Sequence, residues 1–591
     1  MSKANTKKKE STSSKDKASD KESSQQAIDV KLELNRLKRV VYLTDLTPRY
    51  IAGNPELFFL RNFAINLSFV GDILAQEENV QAFVDVVKKA NNDPNLPRRV
   101  TLFYVLAYAL RNHTPKNEVT NQLADTVLEI CKTDEEFFKF ISVFSMIKGR
   151  GRDLKSNESY NKITTSMSRI IRKFLEKKTP SEYAKAVAST KGHHSWQYKD
   201  LIKLSHYKSE TSEKLLVTDY VLHGMENLLE PENNEMKEVY EILQEWEMLR
   251  HPSTKIEKIC DLIVKLKATY RNINPKYIKE QQVWAAIIPQ LPIEEVMQFL
   301  PKFLKYDMLE PQETSLVHAK VMEALSIPNI RSAKVNPLEI FIHLKNFQKG
   351  GKPIDPKLEH YLKSKNLPIK VPASISEDNS ISKILYKCFL DSYPLDTSVL
   401  GLSRNVMIVL DVAQYDSACF KQRNITCLEG AVALTTYFSK SEKQIDITVF
   451  DGETLEEFDW DNSSDSFNKN LKKLKEVKPS KLNLHTIFDW TVENEKNIDL
   501  FICFIQSAKS LPTNPKDFRK TFKEAYKNYQ TKTLCMDIRI ITICLGSHNL
   551  APFPECINSL TICGFCPEIP KVIHSFVNGD LHQLKSRISK N

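Results

Sequence analysis

Glycine is scarce, at 14 of 591 residues. That disfavours all-β architectures built on tight turns, and it disfavours Gly-rich phosphate loops. No run of 18 apolar residues occurs, so no transmembrane helix is expected. P-loop, HExxH and GxSxG patterns are missing, and no nucleophile–base pair stands out. The opening stretch, Met1–Gln26, has no apolar core and is not expected to be a secretory signal. Rich in Lys, Ser and Glu, it cannot bury enough apolar surface to offset its chain entropy, and a disordered tail is expected. The 11 cysteines are scattered, which reads as free thiols in a reducing compartment.

What is present falls into two regimes. From about residue 31 to 370, apolar residues recur at three- and four-residue spacing, as in Phe83, Val86 and Val87 or Leu262, Ile263 and Leu266. Helices are predicted over Val80–Lys89, Leu102–Asn112, Asn121–Lys132, Glu135–Lys148, Glu182–Ser189, Ile256–Tyr270, Gln281–Gln290 and Ile293–Lys305. Amphipathic helices in series without a strict period point to a HEAT-like array. The Pro-, Lys- and Ser-rich stretch Asp355–Asn379 reads as a boundary, followed by a short helix at Ser380–Asp391.

From about residue 403, apolar β-branched runs of strand length appear at Val406–Val412, Ile445–Phe450, Leu500–Ile505, Ile538–Leu545 and Leu560–Cys563. Helical segments lie between them, and Ile569–Val577 forms the last. Buried strands alternating with helices predict a doubly wound parallel sheet. The fold class is therefore α + α/β and multidomain. We divide it into a tail (1–30), a helical array (31–370), a linker with a crossover helix (371–402), an α/β domain (403–580) and a basic tail (581–591).

Charge is unevenly placed. The chain carries 84 Lys/Arg against 74 Asp/Glu, a net +10. Residues 141–210 hold 15 Lys/Arg against 6 Asp/Glu, an excess of +9, so the basic surface belongs to the helical array. One helix there, Ser168–Lys178, sets Arg169, Arg172 and Lys173 within about one turn, with Ile170, Ile171, Phe174 and Leu175 opposite. Guanidinium forks match phosphate oxygens, and a merely solvated face is the alternative. The next stretch interleaves Lys191, Lys199, Lys203 and Lys208 with His193, His194, Trp196, Tyr198, His206 and Tyr207. Cations beside stackable rings suit single-stranded RNA. The three histidines have no familiar metal-ligand spacing. Trp196 reads better as a core anchor than as a base platform. Cys563 and Cys566 form a lone CxxC, read as two structural thiols. Asp411 ends the first strand of the α/β domain, at the edge where open sheets place their sites. The positions two and four residues on, Ala413 and Tyr415, offer no short hydroxyl to a metal.

Those residues carry a resemblance. Ala184-Lys-Ala-Val-Ala with Ser195-Trp-Gln-Tyr-Lys-Asp-Leu-Ile-Lys-Leu-Ser-His206 is similar to the W-x-x-K-D-L-L-R-L-S-H signature of the TROVE-domain Ro ribonucleoproteins, the Ro autoantigen family. Supporting blocks follow in order: Val283–Pro292, Leu309-Glu-Pro311, Asn336–His343, Val409–Val412 and Cys563-Gly-Phe565. The resemblance implies a ring of HEAT-like helical repeats followed by a von Willebrand factor A (Rossmann-like) domain. It implies Y RNA binding on a basic outer surface, and a positively charged hole that accepts single-stranded 3′ ends of misfolded non-coding RNAs. It implies small-RNA quality control without catalysis, in the cytoplasm with a nuclear pool. Carried over, Arg169, Arg172 and Lys173 match the family's basic helix and Lys199, Lys203, Ser205 and His206 its signature block; with Tyr198, and with Lys191 and Lys208 from the residue pattern itself, these are the candidate RNA-binding residues. Tyr198 stands where vertebrate members have a His implicated in Y RNA binding; Tyr can hydrogen-bond and stack but cannot become cationic.

The A domain departs further. The family's metal site uses Asp-x-Ser-x-Ser, a distant Thr and a later Asp. Here only Asp411 survives as a remnant, the Thr region near Ser480–Thr486 has no clear match, and Ile505-Gln-Ser-Ala508 lacks the Asp. One carboxylate should not hold Mg²⁺, so no cofactor is expected, although Ser417 or Thr486 could supply oxygens after rearrangement. The leading reading is a non-catalytic RNA-binding protein. The alternative is a protein-interaction scaffold that uses the array and the A domain.

Overall fold

The computed structural model describes residues 30–53, 67–112, 117–147, 164–310, 314–368, 373–393, 402–413, 416–451, 454–479, 483–505, 515–547, 558–578 and 581. The two tail assignments fall almost wholly outside them, as do residues 480–482 and 506–508 of the metal-site comparison.

Helices run in series from Val30–Leu43 to Ser380–Asp391, each packed on its near neighbours. Their starts are fixed by side-chain caps. Thr133, Thr164 and Thr179 each accept a backbone N–H of the following turn, and Thr179 forms a reciprocal capping box with Glu182 ahead of Pro180. The predicted helices Ile293–Lys305 and Ser380–Asp391 occur with those bounds, and the others shift by a few residues at their ends. Ile256–Tyr270 stops at Leu266, where Lys267 turns left-handed. The Pro- and Lys-rich boundary stretch holds a helix of its own, Pro356–Ser364, started by Pro356 and the Asp355 cap.

The second half is a seven-stranded sheet. We label its strands β1 (Arg49–Ile51), β2 (Val406–Leu410), β3 (Ile445–Asp451), β4 (Thr454–Glu457), β5 (Leu500–Ile505), β6 (Arg539–Cys544) and β7 (Ser559–Cys563). Their spatial order is β1-β7-β6-β5-β2-β3-β4. Every neighbouring pair is parallel except β3 and β4. Alternate residues serve the two faces. Ile408, Ile502 and Ile541 join the core that runs on into the helical array, while Val409, Phe501 and Ile540 build a separate core on the other side.

The strand β1 corrects the sequence division, which placed residues 49–51 with the helical array. Arg49, Tyr50 and Ile51 pair with Thr561, Ile562 and Cys563 of the last strand. Arg98 locks this junction: its guanidinium lies 4.3 Å from the centre of the buried Tyr50 ring and donates to Ile51 O at 2.7 Å. Ser575 also donates to Asn95 O. At the far end of the array, the Pro337–Gln348 helix grips the same domain through Asn336 on Pro567 O and a shielded Lys345–Glu429 ion pair of 2.7 Å. Both ends of the array thus hold one domain, and the circuit is closed. Gly564, in the Cys-Gly-Phe block, is required at the seam. Its φ is +85°, and a Cβ there would lie 2.9 Å from Ala52 Cβ and 2.8 Å from Phe420 Cδ1.

Candidate nucleic-acid interface

The basic helix, Thr165–Glu176, buries Met167, Ile170, Ile171, Phe174 and Leu175 and exposes Arg169, Arg172 and Lys173. Burial of that apolar stripe fixes the rotation of the helix and so aims the three cations outward. Their partners are weak. Arg169 donates to Asn121 Oδ1 at 3.0 Å, Arg172 to Ser168 O at 3.4 Å, and Lys173 meets Asp125 at 2.9 Å with both side chains about half exposed. Exposed pairs of this kind are worth about 0–1 kcal/mol, so a phosphate can replace them cheaply. Lys178 lies elsewhere, over the Phe174 ring and paired with Asp134.

The signature block forms a hairpin, Gly192–His193 with Trp196–Gln197, and then the helix Tyr198–Ser205. The turn residues His194 and Ser195 both have positive φ, 51° and 67°, as the tight two-residue turn of a twisted hairpin demands. Trp196 is partly buried against the core. Ser168 Oγ donates to Leu204 O at 3.3 Å, which brings this helix beside the basic one. Lys203 and His206 are exposed on this helix. Lys191 is exposed on the hairpin and Lys208 beyond the helix.

Two carried-over residues are corrected. Tyr198 is 1% exposed; its hydroxyl donates to Asp134 Oδ2 at 2.7 Å and its ring meets Phe138 edge-on. Burial, then the Asp134 carboxylate, pushes its phenol well above the ordinary value. Ser205 is buried too, donating to Leu201 O at 2.6 Å. Both side chains are thus turned into the core, away from the surface that carries Lys203 and His206. Lys199 is half-withdrawn, because its ammonium donates to Leu222 O at the end of the Ser212–His223 helix. The sequence held the signal: Tyr198, Leu201, Ile202 and Ser205 share one face at helical spacing, and Lys199, Lys203 and His206 share another.

Asp411 follows β2, is buried, and accepts from Ala413 N at 2.8 Å. Ser417 Oγ donates to Cys427 Sγ at 3.4 Å, and Thr486 Oγ1 donates to Asn483 O at 2.8 Å. Ala413 has no side-chain oxygen to offer, and both hydroxyls are engaged. Among the described residues, no group of three or more His, Cys, Asp or Glu could hold a metal ion. Among the described residues of this set the one carboxylate is Asp411, where a hard divalent cation needs about six oxygens. Cys563 and Cys566 are buried and not joined in a disulfide, and burial pushes the Cys566 thiol well up.

Residues 405–577 match the sequence model of the Ro60 vWA domain. Over that stretch the chain is similar to the Ro60 vWA domain. The whole chain is also similar in fold to the crystal structure of the Deinococcus radiodurans Ro (Rsr) protein. The TM-score is 0.72 over 93% of this chain and 100% of that one, at 14% sequence identity. At that identity the likeness speaks for the fold alone. It bears out the fold class read from the sequence: a helical array followed by a vWA-like α/β domain with a mostly parallel sheet. Among the described residues no helix is long and apolar enough to cross a membrane.

Proposed function

We propose that this chain is a non-catalytic RNA-binding protein of a small ribonucleoprotein. It would hold Y-like RNA and misfolded non-coding RNA for stability and quality control, in the cytoplasm with a nuclear pool. The observation that carries the reading is a pair of helices joined at Ser168 and Leu204, one exposing Arg169, Arg172 and Lys173 and the other exposing Lys203 and His206. Guanidinium and ammonium groups with only weak partners suit phosphate, and each duplex phosphate contact contributes a salt slope of about −0.9. The A domain, with Asp411 tied to its own loop, would work without a divalent cation and offer its surface to a protein partner.

Affinity for a small stem-loop RNA, measured across a salt series, tests this. The wild type should bind with a steep slope. The triple exchange Arg169→Glu, Arg172→Glu and Lys203→Glu should weaken binding and flatten the slope by about 2–3. Equal affinity and equal slope for both proteins would sink the interface and favour the scaffold reading.

A further inference from the structure

An aromatic cluster lies outside the basic face. Tyr270 begins a short turn, Phe299 and Lys302 lie on the Ile293–Lys305 helix, and Tyr306 caps that helix. The Tyr270 and Phe299 rings meet edge-on, with centroids 4.5 Å apart. Beneath them lie Trp284 and Phe303, fully buried, with centroids 5.0 and 6.0 Å from Phe299. The Trp284 indole N–H is satisfied by Ile278 O at 2.7 Å, so the floor is core. Tyr270, Phe299 and Tyr306 are only partly covered. Tyr270 and Phe299, packed on that floor, keep part of their surface open to solvent, and Tyr306 does so at the helix end.

The cations make the cluster more specific. The Lys302 ammonium stands 5.4–5.9 Å from the centres of the Phe299, Tyr306 and Tyr270 rings, and no ion pair joins it to a carboxylate among the described residues. Exposed Arg271 donates to the Tyr270 hydroxyl at 2.9 Å and orients that ring. The turn is held in place by Asn272, which is buried and donates to Ser189 O, just before the Gly192–Gln197 hairpin. The cluster therefore adjoins the stretch that carries Lys191. Glu135 and Glu295 are close enough for Arg271 to feel, so the patch is not broadly cationic. Lys302 is left to meet a phosphate while the rings meet bases.

We propose that Tyr270, Phe299 and Tyr306, with Lys302, form a base-stacking site for an unpaired segment of RNA. The inference rests on the RNA-binding reading and adds to it a site away from the basic helix. Every base has a π face, so the site would accept any sequence and would exclude paired bases, whose faces are already stacked.

The test uses the full-length protein and two probes: a blunt RNA hairpin, and the same hairpin with a uridine 3′ extension that carries thiouridine for crosslinking. The variant is Tyr270→Leu with Phe299→Leu, which keeps the floor covered. It should bind the tailed hairpin about ten- to a hundredfold more weakly and the blunt hairpin unchanged. In the wild type, crosslinks should map to peptides containing residues 270–306, a readout that does not depend on how the variant folds. Crosslinks elsewhere, with equal tail preference in the variant, would overturn the stacking site and leave the RNA reading standing. A wild type that binds neither probe would overturn both.

Discussion

Replacing His343 by Gln should make this protein more resistant to acid. His343 lies on the Pro337–Gln348 helix, its side chain 7% exposed, and lines a cleft of about 810 Å³ between that helix and the A domain. Burial, then the Lys352 ammonium, pushes its imidazole down to about 4. The folded chain keeps the ring neutral, while the unfolded chain protonates it below about 6.5. Between those values the unfolded state binds more protons. The stability is therefore present above pH 6.5 and lost as pH falls towards 4. Moving from pH 7 to pH 5 costs the wild type about 2 kcal/mol through this one ring. Glu339, 4.0 Å away, works in the opposite sense. Burial, then the Glu294 and Glu568 carboxylates, raises it to about 6, so its contribution is present at low pH and lost as pH rises through 6. Its side chain is 33% exposed, and water weakens that offset. Urea denaturation of wild type and His343→Gln at pH 7 and pH 5 checks this. The wild type should lose about 2 kcal/mol more than the variant between the two conditions. Parallel losses would refute a neutral buried imidazole.

Tyr198→Phe should cost about 1–2 kcal/mol of stability, since it strands part of the Asp134 carboxylate, and leave affinity for a stem-loop RNA unchanged. Lost affinity in a variant of unchanged melting temperature would put the Tyr198 hydroxyl in the interface after all. Adding Mg²⁺, or removing divalent ions with EDTA, should leave the melting temperature where it is, because a bound cation would stabilise the fold by mass action. A rise that saturates with Mg²⁺ would restore the metal site.

Long periodic segments were legible in the amino-acid order. Ile293–Lys305, Leu500–Ile505 and Ile569–Val577 occur as read, because their apolar spacing and their burial are the same fact. Three-residue β1 was not. It is too short to show a period, and its partner lies at the other end of the chain. Polar Thr454–Glu457 was missed because an antiparallel edge strand need not be apolar on both faces. The basic face was legible as composition and helical phase. The fate of Tyr198 and Ser205 was not recognised, since a family signature mixes residues kept for packing with residues kept for binding. The Tyr270 and Phe299 rings come from separate elements, and only the fold shows that they touch.

The seam between β1 and β7 also sets a clock. Arg49–Ile51 leaves the ribosome about five hundred residues before Ser559–Cys563. At roughly 5–20 residues per second, that is on the order of half a minute or more. Through that interval Tyr50 has no strand to lie beside, and the helices can assemble only as an open arc. The final strand arrives last and shuts the molecule like a clasp. A chain cut short before it keeps a bare backbone edge and an uncovered aromatic ring, the features by which unfinished products are recognised and cleared.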